Sequence, residues 1–149
     1  MLNAVEKKRL FRSKLDASNW LSKMGFSENG VEHVNATNLI PEGYRINFCN
    51  KKKRTISFKL FSLDDKEIVA VNIINNENGE SFGLEDWLKY KNMFKSYDAL
   101  RLTSYDGEFH ERVDSFLIYL SGIFSTTPLV NVLEGDIWEN VPFDWAGMR

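Results

Sequence analysis

The chain has 149 residues, the size of one ordinary domain, and is 43% hydrophobic, 27% charged and 13% aromatic, which excludes a disordered chain and suffices for a core without covalent staples. Its lone cysteine, Cys49, excludes an internal disulfide and a Cys-x-x-Cys zinc site, so a single cytoplasmic domain is expected. The start, MLNAVEKKRLFRSKL, lacks the apolar core of a secretory signal, and the most apolar run, FLIYLSGIF at residues 116–124, is shorter than the roughly 20 residues that cross a bilayer.

Asn3 followed by Glu6 has capping-box spacing, and Leu10, Phe11, Leu15, Leu21 and Met24 recur near helical spacing until Gly25, which predicts a first helix over residues 3–24. In the turn-rich stretch that follows, Val31 to Val34 have weak strand character. Three strands are predicted next, YRINFC at 44–49, TISFKLF at 55–61 and EIVAVNII at 67–74, the first two with apolar residues alternating with polar ones. The connections NKKKR and LDDK suit hairpins and hence an antiparallel meander, with the nearly all-apolar third strand at the centre. After the polar loop NNENGES, the residues Leu84, Trp87, Leu88, Lys91 and Phe94 form a helical stripe with Glu85 and Asp86 in its first turn. ALRLTSY at 99–105 alternates as a fourth strand, Asp106 offers an N-cap for a third helix through Phe124, and Pro128 blocks its continuation. PLVNVLE then reads as a last strand before the tail EGDIWENVPFDW. The order α-β-β-β-α-β-α-β predicts an α+β fold, with helices packed on a mainly antiparallel sheet.

The order helix, three strands, helix, strand over residues 3–105 resembles the core of the restriction-endonuclease-like nucleases. In that family an Asp on the second strand and a Glu-x-Lys on the third hold a divalent metal and position water. Here Ser57 stands at the Asp position, Ala70 at the Glu and Asn72 at the Lys, so the resemblance implies at most an inactive relative. Asp64 and Asp65 fall in the hairpin turn, where acids are at home. His110 and Asp114 share a helical face within an acid-rich stretch, and Cys49 with His33 or His110 supplies the residue types of a thiol nucleophile and base. Acids at a helix start and a small thiol on a strand are ordinary structural features. The expectation is therefore no catalysis, no metal and no cofactor.

Charge points to a partner. Residues 1–61 carry 12 Lys or Arg against 5 Asp or Glu, a balance of +7, whereas residues 62–149 carry 7 against 16, a balance of −9. The tail interleaves Glu134, Asp136, Glu139 and Asp144 with Trp138 and Trp145, acids to steer a basic protein such as a nuclease toxin and rings to anchor it. In size, acidity and architecture the chain looks like the immunity proteins of bacterial toxin systems, which occlude a partner without chemistry. The alternative is a nucleic-acid site at Lys51, Lys52, Lys53 and Arg54, flanked by Tyr44, Phe48, Phe58 and Phe61. Strand parity places Phe48 and Phe58 on the apolar face, which disfavours them as base platforms. A secretion chaperone is a third reading.

Overall fold

Two helices begin the chain where one was expected. The computed structural model describes residues 2–38, 41–51, 53–63, 66–93, 101–135 and 137–141. Helix α1 (Ala4–Asp16) starts in the expected capping box: Asn3 Oδ1 accepts from the Glu6 N–H at 2.9 Å and Glu6 Oε1 from the Asn3 N–H at 3.2 Å. The Ser18 hydroxyl donates back to the Lys14 carbonyl at 2.9 Å while its own backbone is extended, which separates α1 from α2 (Asn19–Lys23). Gly25, at φ +79°, then turns the chain into the sheet.

The sheet is an antiparallel meander of five strands in chain order: β1 (Ser27–Val34), β2 (Gly43–Cys49), β3 (Arg54–Leu63), β4 (Lys66–Asn75) and β5 (Ser81–Gly83). Ile46, Phe48, Ile56, Phe58, Leu60, Val69, Val71, Ile73 and Phe82 face one side and are buried. The predicted alternation holds. The strand expected at the centre, β4, stands fourth of five, and Ile68, Ala70 and Ile74 on its other side are only half-buried.

Helices cover the buried side. Phe11 and Leu15 of α1 join Val113, Phe116, Leu120 and Phe124 of α4 (Phe109–Phe124) in one hydrophobic cluster with the sheet. Helix α3 (Leu84–Tyr90) adds Leu84, Trp87 and Leu88, and ends where Asn92 takes φ +57°. Phe94, expected on its stripe, lies outside the described residues. Glu67 on β4 is 8% exposed and receives Lys7 of α1 at 2.7 Å and Arg112 of α4 at 3.0 Å, so one carboxylate joins three elements.

Three further segments depart from the sequence expectation. Of the fourth predicted strand, residues 99 and 100 lie outside the described residues, and among the rest a single bridge pairs Arg101 with Ile68. Ser104 N–H then bonds to the Arg101 carbonyl at 3.0 Å and Tyr105 N–H to that of Leu102 at 3.2 Å, closing a 3₁₀ turn that drops Leu102 into the core. Helix α4 is capped by Glu108 and Glu111, not Asp106, because Gly107 at φ +99° reverses the chain first. The last predicted strand is helix α5 (Thr127–Leu133): Pro128 lies in its first turn, where its missing N–H costs nothing, and Leu129, Val132 and Leu133 bury one helical stripe. Among the described residues no helix is long and apolar enough to cross a membrane.

Candidate functional site

Arg54 organises one end of the molecule. It opens β3 on the same side as Ile56 and Phe58, so strand parity turns its long side chain toward the core, where it is 3% exposed. Its Nε donates to the Val132 carbonyl at 2.9 Å, Nη2 to that of Ile137 at 3.2 Å, and Nη1 to Asn75 Oδ1 at 3.1 Å. The guanidinium carbon lies 5.1 Å from the centre of the Trp138 ring, within cation–π range. Asn50 at the end of β2 adds a bond from Nδ2 to the Leu133 carbonyl at 2.9 Å. The segment after α5 is thereby fixed to the sheet.

This attachment divides the predicted tail residues. Trp138 packs against Phe82 in a tilted pair with centroids 5.2 Å apart and donates its indole N–H to Glu80 Oε2 at 2.8 Å. Glu139 pairs with Lys91 at 2.7 Å. Both therefore hold the tail down. Glu134 is exposed, and so is Ile137, at 47%. Asp136, Asp144 and Trp145 lie outside the described residues. The bond from Trp138 brings in acids that tail composition does not contain, Glu80 and its neighbour Glu77, both exposed on the β4–β5 turn.

The basic turn arrives at the same end. Lys51 and Lys53 are exposed, and the Lys53 carbonyl accepts from the Asn76 N–H at 2.9 Å, so the lysine turn and the acidic turn touch. Lys52 lies outside the described residues. For Arg54 the expectation of nucleic-acid contact is corrected: its donors are committed to protein oxygens and its surface is buried. Phe48 and Phe58 are buried as parity required, which removes two aromatic platforms, and Tyr44 already carries Lys8 over its ring at 5.1 Å.

Cys49 and His33 stand toward opposite ends of the β1–β2 ladder. Cys49 Sγ sits 3.0 Å from the Thr55 hydroxyl, His33 pairs with Glu42 at 2.9 Å, and Asp114 pairs with Lys14 at 2.8 Å. Among the described residues no three His, Cys, Asp or Glu side chains are grouped as metal ligands. Asp64 and Asp65 lie outside the described residues.

The second side of the sheet forms an open polar hollow of about 460 Å³, lined by Asn29, Glu32, Arg45, Asn47, Thr55, Ser57, Asn72, Ile74 and Ser81 from all five strands. Ser57 and Asn72, two of the nuclease-like positions, meet here as cross-strand partners. A bulge between Glu28 and Gly30, with Gly30 at φ +131°, supplies Asn29 at the hollow's edge. Arg45 and Lys59 stand opposite each other on this side, and Lys59 has its pKa lowered, first by burial and then by Arg45. Sequence alternation marks these residues as facing away from the core, but not that they enclose a hollow. No protein family, curated protein or solved structure was found to match this chain.

Proposed function

We propose that the protein is a cytoplasmic, non-catalytic binding module of immunity type, which occludes a partner protein with the end of the molecule organised by Arg54. The supporting observation is a pre-organised apolar anchor. Ile137 projects to solvent from a segment whose neighbouring carbonyls and indole are tied down by Arg54, Asn50 and Glu80. An anchor held in place before binding loses little conformational freedom on association. The exposed Glu80 holds the neighbouring indole, Glu77 shares its turn, Glu134 is exposed in the same segment, and the turn carrying Lys51 and Lys53 bonds to Asn76 beside Glu77. Charged groups thus accompany the apolar residue as at the rim of a protein interface.

The nearby lysines reshape the electrostatic part of the idea. A surface carrying both signs fixes register more than it accelerates encounter, so the partner complements it with basic groups toward the glutamates and acidic groups toward the lysines. The test is capture from a lysate of the source cells on immobilised protein, followed by elution with salt. A protein retained by the wild type and lost with Ile137→Asp is expected, with Glu134→Gln slowing association. Retention of nucleic acid alone, or of a protein indifferent to Ile137→Asp, overturns the reading.

A further inference from the structure

The open side of the sheet holds polar atoms that the fold leaves unanswered. Asn47, Ser57 and Asn72 are cross-strand partners on β2, β3 and β4, so they form one row across the sheet at steps of about 4.8 Å. Ser57 is 2% exposed, and neither its Oγ nor Asn47 Oδ1 has a hydrogen-bond partner. Chemistry fixes how Asn47 is turned: its Nδ2 donates to Glu32 Oε1 at 3.0 Å, and a carboxylate only accepts, so the amide oxygen is the end left free. Buried polar atoms without partners are few in native folds and each costs free energy. Two of them on neighbouring strands, in residues lining one hollow, mark groups that a ligand completes.

The lining also specifies the ligand. Glu32 and Arg45 are its one acid and one base and lie 3.9 Å apart, so the hollow offers no net charge to attract an ion. The other polar groups are amides and hydroxyls, which both donate and accept, as the hydroxyls of a sugar do. A volume of about 460 Å³ falls in the range of small-molecule sites, and walls built on strands keep their spacing better than walls built on loops.

From this geometry we propose that the hollow binds a neutral carbohydrate the size of a mono- or disaccharide. Asn47 Oδ1 accepts from one ligand hydroxyl, while the Ser57 hydroxyl and the Asn72 amide meet its neighbours in the row. The site uses none of the residues assigned to protein binding, and the two readings stand or fall separately.

The test titrates ¹⁵N-labelled protein with glucose, galactose, N-acetylglucosamine and maltose, and in a separate arm with pentaglycine. Saturable shifts confined to Asn29, Asn47, Ser57 and Asn72 are expected with at least one sugar. Ser57→Ala and Asn72→Leu should each weaken that binding about tenfold, the effect of losing one hydrogen bond inside a site, whereas Ile137→Asp leaves it unchanged. Removing an unpaired hydroxyl does not destabilise the fold, so a Ser57→Ala protein that melts no lower than wild type separates lost binding from lost folding. No saturable shift with any of the four sugars overturns the proposal. So do shifts that survive both substitutions, and so does a row that responds to pentaglycine and not to sugar, which means that it reads peptide backbone.

Discussion

Arg54 shows how far a single side chain reaches. Its guanidinium donates to two carbonyls and an amide oxygen, so Arg54→Met removes three hydrogen bonds and releases Trp138, although Val132 O keeps the Gly135 N–H and Asn75 Oδ1 keeps the Glu77 N–H. A loss of about 3 kcal/mol is expected in urea denaturation, with the 134–141 segment becoming open to proteolysis in the otherwise folded protein. In KKKR the arginine reads as one more turn cation. Parity with Ile56 was enough to place it on the core side, but its oxygens come from residues 78 and 83 positions later, a distance over which no local pattern carries information. Lys59 gives a prediction in pH. Its folded pKa lies below 10.5, so the unfolded chain keeps this proton to higher pH than the folded one. The penalty is complete below the folded value and relieved as pH climbs to 10.5, so stability rises across that window. Lys59→Gln should abolish the rise. Tyr105 and Tyr119, whose pKa values burial raises above 10.0, act in the opposite sense at the alkaline end, and they cancel when wild type and variant are compared by urea midpoint.

At the level of elements, α5 separates two roles that the sequence ran together. Leu129 is fully buried while Pro128 is exposed in the first turn. Leu129→Ala is therefore expected to cost about 3 kcal/mol through the cavity it opens, and Pro128→Ala less than about 0.5 kcal/mol, as at an ordinary surface position; thermal unfolding of the two variants checks both. A proline after an apolar helix reads equally as a stop and as a start, and PLVNVLE is short enough to satisfy either period. Strands β2 and β3 were legible because alternation of Ile46, Phe48, Ile56 and Phe58 requires a half-buried sheet. Strand β1 was only glimpsed: its bulge shifts the inward residues from Glu28 to Val31, which breaks the period of two. The three-residue β5 is below the length at which a period exists.

Over the whole molecule, opposed charge blocks that looked like an external field are in part an internal fastening. Lysines of the first half reach acids of the second in the pairs Lys7–Glu67 and Lys14–Asp114, and the lysine turn lies against the acidic one. Composition showed the asymmetry but could not say where the two signs meet. Glu67→Gln leaves Lys7 and Arg112 facing a neutral amide. A loss of about 2 kcal/mol is expected, below the range for a fully buried pair because both cations keep some solvent. Calorimetry should show one cooperative transition at lower temperature, since α1, β4 and α4 share a single core.

The carboxylate of Glu67 also imposes an order of events on synthesis. Lys7 emerges from the ribosome 60 residues before it and Arg112 another 45 after, and Val113, Phe116, Leu120 and Phe124, which share the core with Phe11 and Leu15, come later still. Helix α1 thus completes its contacts only after α4 has been made. Until most of the chain has been translated, its greasy stripe has only the nascent hairpins, or a chaperone, to shelter it.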